Sequence, residues 1–106
     1  MRILFRVYRQ YFDLIASGEK KVELRQMTRY WVGRGVAASA ALLRGEDVTG
    51  VFVCGRDRRD VDVISVGFQE QASSILHREL SEQGKKDLGG EDPVVVAFYL
   101  GEKVES

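Results

Sequence analysis

Cysteine, histidine and proline each occur only once among the 106 residues, and these scarcities exclude several kinds of protein. Cys54 has no partner for an internal disulfide, so we predict a reducing, cytoplasmic environment. One cysteine and one histidine cannot form the usual zinc site, and we predict neither a metal nor a cofactor. No apolar run is long enough to span a bilayer, so we expect no membrane partner.

The composition is that of an ordinary globular protein, with 44% hydrophobic and 30% charged residues. No repeat and no linker-like stretch interrupts the chain, so we predict a single domain over residues 1–106, as a monomer or weak homodimer. The formal net charge is zero, but residues 1–53 carry 9 Lys/Arg against 5 Asp/Glu, and residues 54–106 carry 7 against 11. This asymmetry favours a local basic face, although a generic mixed surface explains it equally well.

The spacing of apolar residues changes twice within the first 25 residues. Residues 2–7 alternate, which is typical of a half-buried strand. Tyr8, Tyr11, Phe12 and Ile15 then recur at helical spacing, and Gly18 is suited to end that helix. Residues 22–25 alternate again and predict a second strand with one charged face. The intervening helix is long enough for a crossover, which would make the two strands parallel.

The rest of the chain predicts further short elements. Residues 26–35 are interpreted as an irregular segment and residues 36–44 as a short alanine-rich helix. Strands over 48–54 and 61–66 flank a polar turn at 55–60, a helix capped by Ser74 ends near Gly84, and residues 94–100 form a strand buried on both faces. The expected fold is α+β, with about five strands in a small, curved, barrel-like sheet and helices at its side.

Residues 18–25 concentrate the chemistry of the chain. Lys20 precedes the second strand, and Glu23 and Arg25 project from one face of it. Arginine can bind a phosphate or carboxylate through two hydrogen bonds, and glutamate can accept a proton or the amino group of a base. A lysine that loses solvent beside Arg25 can act as a base or nucleophile. The alternative is an exposed ion-pair ladder of little energetic value, on a module that has no small-molecule site.

The pattern Gly18-x-Lys20-x-x-Glu23-x-Arg25 resembles the G-x-K-x-x-E-x-R signature of the ASCH domain family. The preceding strand and helix, with Phe12 and Ile15 as apolar anchors, are similar to the family's opening. The resemblance covers residues 2–25 closely and the remaining element order loosely. It implies a PUA-like open β-barrel with a cleft beside the motif strand, in which ASCH domains are generally proposed to bind RNA or nucleotides.

The same resemblance implies an enzymatic alternative. Some small bacterial members are amidohydrolases that remove the acetyl group from N4-acetylcytidine, and others are reported to cleave RNA. The motif lysine is the proposed catalytic residue of the amidohydrolases, which corresponds to Lys20. That branch has threonine where this chain has Glu23, and it uses a later glutamate, for which Glu70, Glu79 and Glu82 are the candidates here.

Arg29, Tyr30 and Trp31 follow the motif and complete the predicted ligand-binding set, which is Gly18, Lys20, Glu23, Arg25, Arg29, Tyr30 and Trp31. An aromatic ring and a guanidinium group at a cleft rim can stack on a base and hold a phosphate. The alternative places Trp31 in the core. The preferred hypothesis is a domain that binds RNA or a nucleotide-like molecule, with Lys20 and Glu23 as the catalytic candidates if the protein is an amidohydrolase.

Overall fold

The computed structural model describes residues 1–103, which fold into an α+β structure; the predicted domain, residues 1–106, also includes three residues outside this part. Within the described residues, five strands and four helices follow one another. They are β1 (Arg2–Arg6), α1 (Arg9–Ser17), β2 (Val22–Gln26), α2 (Arg29–Leu43), β3 (Thr49–Cys54), β4 (Asp57–Gln71), α3 (Ala72–Leu76), α4 (Glu82–Leu88) and β5 (Val94–Lys103). No helix in this part of the chain has the length and apolar character needed to cross a membrane.

The five strands form one mixed sheet in the order β1-β3-β4-β5-β2. Only β1 and β3 are parallel, and the other three neighbouring pairs are antiparallel. In a flat sheet the two edge strands would lie about 19 Å apart. Instead, Arg25 Nη2 in β2 donates a hydrogen bond to the Arg6 carbonyl in β1 at 3.0 Å. The sheet is therefore curled into an open barrel, which confirms the predicted fold class.

Irregular pairing between β4 and β5 accompanies this curvature. The register shifts three times along β4, between Val61 and Val63, between Val63 and Ser65, and between Gly67 and Glu70. Such irregularities bend the strand that carries them and increase its twist. β4 is 15 residues long, and these bends allow it to follow the sheet as the sheet curls around its apolar inner face.

The main core fills the inside of the curled sheet. Phe5, Phe52 and Phe98 are fully buried at its centre, where the Phe5 ring contacts the other two. Helix α1 adds Phe12 and Ile15, as the apolar spacing predicted, and α2 adds two alanines. A smaller cluster around Val95 and Leu80 attaches α3 and α4 to the outside of the sheet. Residues 95–98 and Leu100 are buried, so most of the strand predicted over 94–100 is covered on both faces, whereas Val94 is 46% exposed.

Several predicted boundaries were wrong for local physical reasons. The segment 26–35 is not irregular throughout: α2 begins at Arg29, because Thr28 Oγ1 accepts a hydrogen bond from the Trp31 amide at 3.2 Å and caps the helix. The hairpin turn is shorter than predicted, because Gly55 adopts a positive φ of 59° and lets the chain reverse within two residues.

The single helix predicted from Ser74 is two short helices. His77 has a left-handed backbone with φ of 56° and ends α3, whereas Ser81 accepts a hydrogen bond from the Gly84 amide and starts α4. The prediction that β1 and β2 are parallel was also wrong. The two strands run in opposite directions at the two edges of the sheet, because β2 pairs with β5 rather than with β1.

Candidate functional site

The end of helix α1 fixes the start of the site. Gly18 has φ of 83°, a left-handed conformation that glycine adopts without strain, and its amide donates to the Ile15 carbonyl at 3.1 Å. The Lys20 amide then donates to the Leu14 carbonyl at 3.0 Å. These bonds fold the chain back onto the helix end. Lys20 is thereby presented beside the first residues of β2.

Strand β2 supplies the other two charged groups from alternate positions. Glu23 and Arg25 lie on the inner face, and Glu23 is only 4% exposed. Lys20 Nζ contacts Glu23 Oε1. Arg25 donates through Nε to Glu23 Oε2 at 3.0 Å, and its Nη2 lies 2.8 Å from the same oxygen. A buried carboxylate with a cation on each oxygen differs from the exposed ladder considered in the sequence analysis.

Aromatic rings support both cations. Lys20 Nζ lies 5.0 Å from the centre of the Tyr11 ring. The Arg25 guanidinium carbon lies 4.8 Å from the Trp31 ring centre and 5.3 Å from that of Phe5. The Phe5 and Trp31 rings are themselves stacked, with an interplanar angle of 3°. These cation–π contacts restrict the two cations to one geometry beside Glu23.

An open cleft of about 490 Å³ lies over this charged group. One wall comes from the barrel and the other from the segment that contains α3 and α4. The barrel side consists of Arg6, Val7, Tyr8, Tyr11, Lys20, Glu23, Leu24 and Arg25, and the helical side of Leu76, Arg78, Leu80, Ser81, Gly84, Asp87 and Leu88. A cleft of this size, with apolar walls and a few convergent polar groups, suits a small ligand.

The cleft carries an excess of positive charge. Four cationic residues line it, Arg6, Lys20, Arg25 and Arg78, against the two carboxylates Glu23 and Asp87, which gives 4 − 2 = +2. Several cations away from the cleft have a carboxylate partner in the described part of the chain. These pairs are Arg9–Asp57, Arg44–Glu46, Arg58–Asp60 and Lys85–Glu91. The balance inside the cleft favours an anionic ligand.

The predicted site residues divide into three groups. Lys20, Glu23 and Arg25 line the cleft together. Gly18 contributes through its backbone conformation, and Trp31 packs on the core while supporting Arg25. Arg29 and Tyr30 are exposed at the start of α2, outside the cleft lining, with Tyr30 edge-on to Trp31.

The three later glutamates considered for catalysis lie outside the cleft lining. Glu82 contacts Lys85 on α4, with 3.4 Å between Oε1 and Nζ, and Glu79 is exposed. Glu70 is exposed on β4 near Tyr99. Burial raises the pKa of the Tyr99 hydroxyl above its usual value, and the charge of Glu70 raises it further.

Sequence reasoning missed the aromatic and basic residues that complete the cleft. Tyr8 and Tyr11 were assigned to the apolar stripe of α1, yet Tyr8 is 58% exposed and both rings line the cleft. Their hydroxyl groups were the available signal, since tyrosines at the end of a stripe often face solvent. Arg78 gave no signal, because its position depends on how the α3–α4 segment packs against the sheet.

Among residues 1–103, no three His, Cys, Asp or Glu side chains are grouped in a way that could hold a metal ion. Comparison of the chain with protein families, with curated proteins and with solved structures finds no match.

Proposed function

We propose that the cleft binds RNA or a nucleotide-like ligand. The observation that carries this proposal is the Lys20–Glu23–Arg25 group on the floor of a cleft that also presents the rings of Tyr8 and Tyr11. Phosphates and base carbonyls are acceptors, and bases present planar faces, so cations beside aromatic rings match both parts of a nucleotide. The resemblance of residues 18–25 to the ASCH signature supports the same ligand class.

The contacts of the three residues suggest separate roles. Arg25 uses Nε and Nη2 within the protein, which leaves its Nη1 hydrogens available to a phosphate or carbonyl. Lys20 has donors beyond the one that meets Glu23. Glu23 has a cation on each oxygen, so its role in this proposal is to position Lys20 and Arg25 rather than to accept an amino group. Tyr8 and Tyr11, rather than Tyr30 and Trp31, are the stacking surfaces.

A titration tests the proposal. Wild-type protein is titrated by calorimetry with a short single-stranded RNA and with nucleotides, and Arg25→Ala is expected to lower the affinity about tenfold or more. Arg29→Ala is the matched control, because Arg29 was predicted from the same stretch but is exposed outside the cleft. Circular dichroism verifies that both variants fold. Equal affinity in wild type and Arg25→Ala would exclude this site.

A second candidate is an amidohydrolase that deacetylates an N4-acetylcytidine-type nucleoside. It is favoured by the contact of an amine with a buried carboxylate inside the cleft, since Lys20 and Glu23 form a pair through which a proton can move. Water would add to the acetyl carbonyl and give one proton to the Lys20–Glu23 pair, while Arg25 stabilises the negative oxygen. The same proton would pass to the amine nitrogen as the C–N bond breaks, which releases acetate and the amine. Lys20 is the catalytic residue in this scheme.

Product analysis separates the two candidates. The protein is incubated with N4-acetylcytidine, and the products are separated by chromatography. Release of cytidine by wild type and by Lys21→Ala, but not by Lys20→Ala, would establish the amidohydrolase; Lys21 is the exposed neighbouring lysine, outside the cleft lining. Absence of cytidine in all three samples would reject it and leave the binding function.

A further inference from the structure

Two arginines at the rim of the cleft have no role in the binding proposed above for Lys20, Glu23 and Arg25 on its floor. Arg6 ends β1 and Arg78 lies in the connection between α3 and α4, so they belong to opposite walls. Both residues are exposed, whereas Lys20 and Arg25 have only 21% and 20% of their side chains exposed. This difference in exposure separates a floor from a rim within one cleft.

Among the described residues, the two rim arginines form no ion pair, unlike the two floor cations, which both contact Glu23. Within residues 1–103, neither Arg6 nor Arg78 has a carboxylate within ion-pair distance, and the one side-chain hydrogen bond of Arg78 is to the Glu79 carbonyl at 3.3 Å. The carboxylate on the same helical wall, Asp87, accepts from Gln83 Nε2 at 2.9 Å. Glu23 balances one of the two floor cations and Asp87 one of the two rim arginines, so the floor and the rim each contribute one of the two excess positive charges.

Arg78 is held in place although it lies in a connection. The Arg78 amide donates to the Ser73 carbonyl at 3.3 Å, and Leu80 is buried two residues later. Ser73 is itself bound through its amide and hydroxyl to the Asp92 carboxylate, at 3.0 and 2.7 Å. These attachments fix the backbone on both sides of Arg78. A guanidinium group on a fixed backbone loses less freedom when it binds a ligand than one on a mobile loop.

We infer that Arg6 and Arg78 form a phosphate-binding pair at the rim, and that the ligand of this cleft is a nucleoside monophosphate rather than an RNA chain. This inference rests on the proposed function and narrows its ligand class. The base lies between the tyrosines and the floor group, and the terminal phosphate lies at the rim between the two guanidinium groups. A cleft of about 490 Å³ has the size of a small-molecule site, and its two exposed cations match a single phosphate group.

The test compares ligands that differ only in the phosphate. Wild-type protein is titrated by calorimetry with the four ribonucleoside monophosphates, the four nucleosides and a short single-stranded RNA. At least one monophosphate is expected to bind about tenfold more tightly than its nucleoside. Arg6→Gln and Arg78→Gln should each reduce this preference while the affinity for the nucleoside stays the same. Arg56→Gln, in the β3–β4 turn, is the matched exposed control and should match the wild type.

Each other outcome contradicts the inference. Equal affinity for a nucleoside and its monophosphate, or a loss of preference in only one of the two rim variants, would reject the phosphate-binding pair. Binding of RNA without binding of any monophosphate would reject the inference and leave the proposed function intact. Binding of neither RNA, nucleotide nor nucleoside would reject both.

Discussion

At the residue scale, the site depends on how one carboxylate is shared by two cations. Strand alternation predicted that Glu23 and Arg25 share a face, and Gly18 predicted where the preceding helix ends. The sequence could not indicate that this face is the inner one, because alternation does not say which side of a strand is covered. The rings that cover this face, Phe5, Tyr11 and Trp31, come from β1, α1 and α2.

Glu23→Gln tests whether this carboxylate holds the floor of the cleft together. The amide group of glutamine would have to face either Lys20 or Arg25, and both are donors. Two partly buried cations would then lose their counter-charge, and we expect the free energy of unfolding to fall by about 2–3 kcal/mol. Urea denaturation measures this change. Glu19→Gln, at an exposed position just before the motif strand, should have no effect, and equal losses in the two variants would contradict this role.

At the element scale, helix α2 illustrates where sequence patterns were insufficient. Gly33 and Gly35 weaken helix propensity within the segment 26–35, which was interpreted as irregular. Close packing requires a glycine at position 35. A Cβ placed there would lie 2.8 Å from Phe68 Cε1 and 3.1 Å from Val96 Cγ1. Helix α2 passes so close to the sheet that a side chain at position 35 has no space. The distance between this helix and the sheet cannot be read from a single sequence.

The two glycines of α2 give a matched pair of substitutions. Gly35→Ala should destabilise the protein, because overpacking costs about 1–3 kcal/mol and exceeds the gain in helix propensity of about 1 kcal/mol. Gly33→Ala has nothing within 4 Å of the added carbon, so only the propensity gain remains and stability should rise. Thermal denaturation of both variants measures whether stability falls in Gly35→Ala and rises in Gly33→Ala. A change of the same sign in both would contradict the packing of α2.

The stability contributed by the hydrogen bonds between Ser73 in α3 and Asp92, just before β5, should depend on pH. Hydrogen bonds from the Ser73 hydroxyl and amide lower the pKa of Asp92 below its usual value of 3.8. A carboxyl whose pKa is depressed in the folded state contributes stability above its unfolded pKa and loses that contribution as pH falls through the folded value. Asp92→Asn should therefore be less stable than wild type at about pH 6, and the difference should shrink towards about pH 2.5.

Urea denaturation at both pH values measures this difference. Asp47→Asn, at an exposed position, is the control and should match wild type at neutral pH. A deficit of Asp92→Asn that persists undiminished in acid would indicate a cause other than the charge of Asp92.

At the scale of the whole molecule, the strands were predicted better than their arrangement. The sequence predicted five strands and a curved sheet, and these are present. It did not predict that β1 and β2 occupy the two edges, because pairing partners distant in sequence leave no local pattern. The cleft depends on this arrangement, since Arg25 reaches the carbonyl of Arg6 across the open side of the barrel.

Two phosphate-binding arginines at the rim of the cleft predict a weak salt dependence for any RNA that binds there. If only Arg6 and Arg78 meet phosphates, about two counterions are released, and the slope of log affinity against log salt for a single strand should be about −1.4. Fluorescence anisotropy of a labelled oligonucleotide at several salt concentrations measures this slope. A slope steeper than about −3 would indicate an extended basic path outside the cleft.

The most direct test of the central claim is to map where a nucleotide binds on the wild-type protein. Amide ¹H–¹⁵N spectra are recorded while ribonucleoside monophosphates, and then a short RNA, are added. The structure predicts that resonances shift in residues 6–11, 20–25 and 76–88, which surround the cleft, and remain in place in the β3–β4 hairpin. Shifts confined to the hairpin or to α2, or spectra unchanged by every ligand, would contradict the assignment of this cleft as the functional site.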